Sequence, residues 1–452
     1  MTSFFCCLLQ SLETDQEELR MAALYCLSQL AQSIHKIHQD KSIDASLVQY
    51  FDNIKSPCSS SELSQRSGSG DHECHPEYMV EELCKVLITL FMKIELETMR
   101  YQCSQDELWP RVCSCLASVL AVSCRGRLYG IHVDFPRVLL ASLQGVRDHL
   151  SVLGKPVETI RNANHSPTMR VLYWMLMVIG SCMVDCIAAK ECFADGGISA
   201  SLNRLWPWCM ITDQLRRATL ILLFNFTNGC PKAWSCMCTC VGGRCLLGEV
   251  CTLCARECTL QSSTRPCSLL LLCIHTLRHC ADHAQCRSNI LKSDILLVLF
   301  KSIIRERGRG GSTGVCWTRL ACAVSRYSDG SAALLSLRAQ LPSLPPNLLG
   351  LALPALAHAA HHHRQTLLQA PDLLELLAGT LLAGDTTEMV SAARAVWALA
   401  ANNHKAKLLL RSAGVAAAVQ SALQRLRRAN KDPSSQRALE LLTYTNTVLQ
   451  AT

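Results

Sequence analysis

The sequence predicts an all-α fold of stacked helical repeats, and three observations predict it. The chain has 452 residues, too many for one hydrophobic core, so several domains or a repeat array are expected. Its composition is 49% hydrophobic but only 5% aromatic, with Leu, Ala and Cys abundant. Strands prefer β-branched and aromatic residues, so that balance favours helices. Finally, one helical plan recurs along the chain.

Taken in order, Leu19, Ala23, Cys26, Leu27 and Leu30 recur at spacings of three and four, which predicts a helix over 19–37. Ser56 to His75 is polar and rich in Ser and Gly, the composition of a linker. Amphipathic helices follow over 77–101 and 105–123, with Pro110 in the first turn of the second, where its missing N–H costs nothing.

From about Ser166 four segments share one plan, starting at Leu172, Leu220, Leu270 and Ala393. Each has an apolar helix, a short polar turn, a second short helix, a small or polar break and a third apolar helix. The break sets the register: Gly197 to Gly243 is 46 residues and Gly243 to Asp294 is 51. A fifth copy, HHHRQTLLQAPDLLELLAGTLL, places Asp372 at the break, and Gly414 follows 42 residues later. Repeats of this length are helical units that bury their apolar faces only by stacking. RGRGGSTG (307–314) reads as an interrupting loop, and the proline-rich LPSLPPNLLGLALP (341–354) as an irregular or kinked repeat.

ARAVWALAANNHKAKLLLRSAGVAAAVQSAL and LLFNFTNGCPKAWSCMCTCVGGRCLLGEV resemble the armadillo phrase AxxALxxLAxxxxxxKxxLxxxGGxxxLxxLL. The fold class expected is therefore an all-α, armadillo/HEAT-like α-solenoid, a right-handed superhelix of stacked repeats. The expected divisions are an N-terminal helical segment (1–55), a flexible loop (56–76), irregular helical repeats (77–165), Cys-rich armadillo-like repeats (166–306), a Gly/Arg loop (307–315), and further repeats with a C-terminal cap (316–452).

The 28 cysteines run from Cys6 to Cys322 and then stop. The start, MTSFFCCLLQ, has no basic region and is followed at once by acids, so a secretory signal is not expected and the thiols are expected to be reduced. The longest apolar stretch, 171–186, falls short of the roughly 18 uninterrupted residues of a membrane span, which makes a soluble, cytoplasmic chain the expectation. Net charge is +8, and aromatic residues do not interleave with the basic clusters, so no nucleic-acid partner is expected.

Seven cysteines crowd into the 25 residues from Cys230 to Cys254. In the repeat register 234–240 is the second helix, so Cys236 and Cys240 would share one buried face. Cys251, Cys254 and Cys258 would share a face of the next helix. Free Cys packs as a small hydrophobe, which is the reading preferred here, with no cofactor or metal. The zinc alternative, using the region 230–286, names Cys236, Cys240, Cys251 and Cys254 as ligands. His358, His361, His362 and His363 form a second cluster, read as a solvated turn. No phosphate-binding loop, dinucleotide fingerprint, nucleophile elbow or HExxH motif is present. An enzyme is not expected.

A solenoid groove, lined by the third helix of each unit, commonly holds protein partners. Armadillo proteins that carry import or adhesion peptides use a ladder of Asn and Trp there. Asn225 stands at the ladder position and is the expected groove contact, but the matching places near Val178 and Ala398 are apolar. That puts a transport or adhesion adaptor behind the first alternative, a zinc-binding helical regulatory protein that uses the region 230–286. The Cys-rich irregular repeats NHSPTMRVLYWMLMVIGSCMVDC and TLILLFNFTNGCPKAW, with the terminal RALELLTYTNTVLQ, resemble the C-terminal part of the rotatin family of armadillo-like centriole and basal-body proteins. That resemblance implies a scaffold in centriole assembly and cilium formation, with protein partners, a place on the cytoskeleton at the centrosome or basal body, and no catalytic residues.

Overall fold

A helix–turn–helix–turn–helix unit needs a sharp reversal before each new helix, and residues with positive φ mark those reversals. A computed structural model describes parts of residues 7–29, and residues 76–98, 108–152, 167–260, 268–305, 312–337, 346–428 and 433–451. The linker call over 56–75 therefore lies outside the described residues, as do Arg307, Arg309, Pro342 and Pro345. In the first stretch the residues 22–27 are helical, and Ala23, Leu24 and Leu27 are buried.

After α1 (Pro76–Thr98) come three-helix units: α2 (Leu108–Val122), α3 (Cys124–His132) and α4 (Phe135–Val152), then α5 (Pro167–Cys182), α6 (Ile187–Asp195) and α7 (Ile198–Cys209). In the next unit, α8 (Asp213–Thr227) and α9 (Pro231–Met237) lead to a hairpin, β1 (Cys240–Val241) and β2 (Arg244–Cys245), and then to α10 (Leu246–Leu260). A complete unit follows as α11 (Ser268–Cys280), α12 (Ala284–Lys292) and α13 (Ile295–Arg305). Only α14 (Ser312–Ser325) and α15 (Ser328–Leu335) appear in the one after it among the described residues. Two full units, α16 (Pro346–His362), α17 (Arg364–Leu368), α18 (Pro371–Ala383) and α19 (Thr386–Ala400), α20 (His404–Ser412), α21 (Val415–Arg428), precede a last helix, α22 (Pro433–Gln450).

The breaks expected at Gly197, Gly243, Asp294 and Gly414 all have positive φ, between 52° and 80°. Asp134 makes the same reversal before α4, so residues 108–152 form a full unit inside the stretch 77–165, where irregular helical repeats were expected. Asp tolerates this conformation better than other side chains. Asp372 does not follow the rule: it is the second residue of α18, and Pro371 starts that helix after an extended Ala370. Of the proline-rich stretch, the described residues 346–354 belong to one long helix, α16, with Pro354 inside it.

The chain divides into two units, Met1–Cys236 and Met237–Thr452. Within the first, α2 packs on α5 and α5 on α8. Within the second, α11, α14, α16, α19 and α22 pack each on the next. Helices that touch sequence neighbours and bury a continuous apolar seam make an α-solenoid. Cysteines fill that seam: Cys113, Cys115, Cys209, Cys254, Cys273 and Cys280 are fully buried. No single described helix is long and apolar enough to cross a membrane.

A basic side chain recurs seven residues before the reversal: Arg127, Lys190, Arg287 and Lys407 precede Asp134, Gly197, Asp294 and Gly414. Each donates to the carbonyls that end a first helix. Arg127 Nη1 reaches Leu120 O at 2.5 Å, Lys190 Nζ reaches Asn228 O at 2.5 Å, Arg287 Nη1 reaches Ala281 O at 3.1 Å, and Lys407 Nζ reaches Ala451 O at 3.0 Å. The last carbonyls of a helix have no partner within it and carry the negative end of its dipole, so a cation is the natural donor. In the unit with the hairpin, Trp234 Nε1 does this work on Thr227 O at 2.7 Å.

Arg287 is the most elaborate of these. Its Nε also donates to both oxygens of Asp329 at 2.9 and 3.0 Å, and its guanidinium lies 3.7 Å from the centre of the Tyr327 ring. Arg287 is 7% exposed. Replacing it with Met leaves the Ala281 carbonyl unsatisfied and ends the link to α15. The expected cost is about 2–3 kcal/mol, measured as a lower urea midpoint. Arg287→Lys is expected to recover less than half of it, because Lys has neither the planar fork nor the stacking face.

Candidate functional site

The cysteine-rich segment departs from the repeat plan, and the departure builds a site. Helix α9 stops at Met237, earlier than the sequence register implied. The chain then reverses through Gly242 and Gly243, with φ of 60° and 80°, and pairs Cys240 with Cys245 and Val241 with Arg244. Two consecutive positive φ angles make the tight turn that suits antiparallel strands, and Gly-Gly adopts them without steric penalty. The expected helix over 234–240 is thus corrected: Cys240 lies on a hairpin strand and is exposed, and Cys236 is half-buried on α9. The two do not share a buried helix face.

The hairpin brings Cys238 against the start of α12. Cys238 Sγ lies 3.1 Å from Cys286 Sγ, across 48 residues of sequence. With His283, the residue that precedes α12, they form a group whose ligand atoms lie within 4.8 Å of one another. Cys238 and Cys286 are buried and His283 is half-buried. Asn289, one turn along α12, points its amide between two sulfurs: Nδ2 donates to Cys238 Sγ at 3.7 Å and to Cys245 Sγ at 3.8 Å. The Gly248 N–H adds a donor to Cys245 Sγ at 3.4 Å. The bond to Cys286, with burial, holds the Cys238 thiol far above its ordinary range. For Cys286 the bond to Cys238 pulls downward, but a bond to Cys280 and burial carry the thiol up.

The four zinc candidates from the sequence are placed otherwise. Cys236 belongs to the first unit and Cys240, Cys251 and Cys254 to the second. Cys251 and Cys254 are buried on one face of α10, as expected, and each has its own neighbour. Cys251 bonds to Ser293, and burial pushes its thiol up to about 11. A bond to Cys273, reinforced by burial, raises the Cys254 thiol. What the sequence reading left out are His283, Cys286, Cys245 and Asn289. A signal existed: Cys280, His283 and Cys286 stand three residues apart in CADHAQC, at the turn between α11 and α12.

The histidine cluster is not simply solvated. His362 Nε2 lies 2.9 Å from Arg326 O and His363 Nε2 2.9 Å from Ser328 O, tying α16 to the turn before α15. His358 sits half-buried within α16, 3.0 Å from the Ser325 hydroxyl. A buried histidine outside this cluster matters more. His275 on α11 lies 3.2 Å from Cys316 Sγ on α14, and burial, helped by Arg278 and Arg319, lowers its pKa from 6.5 to about 4.

Asn225 lies on α8, a first helix of its unit rather than a third. Its Nδ2 donates to Gly180 O on α5 at 3.0 Å. The amide therefore links two stacked helices. Val178 and Ala398, at the matching places, are buried.

No family profile matches the chain. Among curated proteins it aligns with rotatin of Mus musculus at 22% identity over 336 residues and with rotatin of Homo sapiens at 21% over 332. Each alignment takes in 69% of this chain. The chain is similar to rotatin. It covers 15% of the length of each of these two relatives. A crystal structure of an engineered protein matches 98% of both chains with a TM-score of 0.53 at 14% identity, a likeness of fold alone.

Two predictions follow from the buried polar groups. The unfolded chain takes up a proton at His275 near pH 6.5, while the folded chain resists until about pH 4. Stability should therefore fall as pH drops through that window, by up to ~3 kcal/mol at its lower end. In His275→Gln the slope of melting temperature against pH between 7 and 4 should flatten. Asn225→Ala should cost about 1 kcal/mol of stability, the usual worth of one buried hydrogen bond, read from chemical denaturation.

Proposed function

We propose that the chain is a non-enzymatic α-solenoid scaffold that binds other proteins and serves centriole or basal-body assembly and cilium formation. The similarity to rotatin supports the cellular role, and the stacked helices support the scaffold. One observation carries the binding reading. Trp397 on α19 and Tyr444 on α22, neighbouring helices of the stack, are 39% and 56% exposed, with ring centres 6.2 Å apart. Exposed Arg394 lies one turn before Trp397. Tryptophan, tyrosine and arginine are the residues that most often dominate protein interfaces. Two large rings side by side at the surface fit a docking point for a partner.

This reading places the chain in the cytoplasm, on the cytoskeleton at the centrosome or cilium base, with centriolar or ciliary scaffold components as partners. The adaptor alternative is weaker, because the Asn225 amide is engaged within the stack.

Proximity labelling with the full chain in dividing and ciliated cells tests both parts. Centriolar proteins should dominate the labelled set, and the Trp397→Ala, Tyr444→Ala double variant should lose at least half of them while its circular dichroism and melting temperature stay near the parent's. A labelled set without centriolar proteins would remove the cellular role. An unchanged set in the folded double variant would remove the aromatic docking point.

A further inference from the structure

Two pieces of the second unit meet at sulfur. One is the hairpin with Cys238 before it and Cys245 on its second strand. The other is the start of α12, with His283 just ahead of the helix and Cys286 in its first turn. We propose that this is a structural zinc site, with Cys238, His283 and Cys286 as ligands and Cys245 closing the tetrahedron.

Geometry supports it first. The three ligand atoms lie within 4.8 Å of one another. Two thiolates on a tetrahedral zinc, each about 2.3 Å from the ion, stand about 3.8 Å apart. The 3.1 Å between Cys238 and Cys286 reaches that separation when each sulfur moves outward by a few tenths of an ångström. It is well beyond the roughly 2.05 Å of a disulfide.

The donor set supports it next. Three thiols and an imidazole are the ligands of closed structural zinc sites and are too soft for magnesium or calcium. A zinc-binding thiol pair also favours a reversing loop, and here the Gly242–Gly243 turn lies between Cys238 and Cys245.

Polar N–H donors stand beside these sulfurs. Asn289 Nδ2 is set between Cys238 and Cys245, and the Gly248 N–H points at Cys245. Such N–H donors hold metal-bound sulfurs in place from the next layer out. Cys286 lies in the first turn of α12, where the helix dipole favours negative charge.

The test uses the full chain, purified under reducing conditions, reconstituted with zinc and freed of excess. Metal analysis should give close to one zinc per chain. Cobalt substitution should give the visible bands of a tetrahedral, thiolate-rich site. Cys238→Ser, His283→Ala and Cys286→Ser should each lose most of the metal, and Cys245→Ser should weaken it and dull the charge-transfer band. Cys240→Ser, on the same hairpin but exposed, should keep it. Asn289→Ala touches no metal, and should bind zinc 10–100-fold more weakly with its helical content unchanged. Folded parent protein with less than a tenth of an equivalent of zinc would overturn the proposal. So would zinc retained in a Cys238→Ser, Cys286→Ser double variant, or a Cys238–Cys286 disulfide found by mass spectrometry in place of metal. Zinc unaffected in Cys245→Ser would overturn the fourth ligand alone. Should a cysteine variant fail to fold, the parent's cobalt spectrum and the Asn289→Ala affinity still decide the matter.

Discussion

The end of a helix is a row of carbonyls with nothing to accept from within, and this fold is organised around supplying them with donors. A basic side chain on the second helix of a unit does so for a first helix, its own in the case of Arg127 and Arg287, the following one in the case of Lys190 and Lys407. Arg364 and Arg411 add the same kind of bond to Ala401 O and Leu449 O. The apolar seam is non-directional and would tolerate a helix sliding along its neighbour. Hydrogen bonds from a fixed cation to a helix end set the axial position. Lys190, 2% exposed and with its pKa lowered by burial, shows how far the fold goes to keep such a donor.

The same logic explains what a cysteine-rich seam can and cannot do. Cysteine packs as a small hydrophobe, so many of these thiols serve as filler, and burial raises those such as Cys115, Cys182 and Cys209. Chemistry begins only where backbone irregularity gathers several sulfurs beside polar donors. In the second unit the Gly-Gly hairpin does this, and the result joins a loop to a helix start.

Much of the fold was legible in the sequence because its reversals admit few residue types. Gly197, Gly243, Asp294 and Gly414 could be found by spacing alone, and the lysine in the repeat phrase already stood where Lys407 bonds to Ala451 O. Asp134 was missed because an aspartate carries no such flag by itself. Asp372 misled because Pro371 can start a helix without a left-handed residue before it. The sulfur cluster was hidden for a different reason. Cys238 and Cys286 are 48 residues apart, and which cysteines meet depends on where α9 stops. Periodicity extended that helix to Cys240, a change of three residues that put the wrong thiols on one face. Asn225 stood at a position of known meaning, but only packing reveals that its amide is engaged by Gly180 O.

The forward direction of some cation–carbonyl bonds has a consequence for how damage would spread. Lys190, Arg364, Lys407 and Arg411 each lean on the unit that follows. Stripping the helix that follows leaves the buried Lys190 charge without its acceptor. Stripping the preceding unit instead leaves a helix end that water can readily satisfy. Arg425 leans the other way, onto Leu382 O and Gly384 O of the preceding repeat, so the direction of resistance belongs to single joints: where the bond points forward, fraying from the C-terminal side meets the added cost.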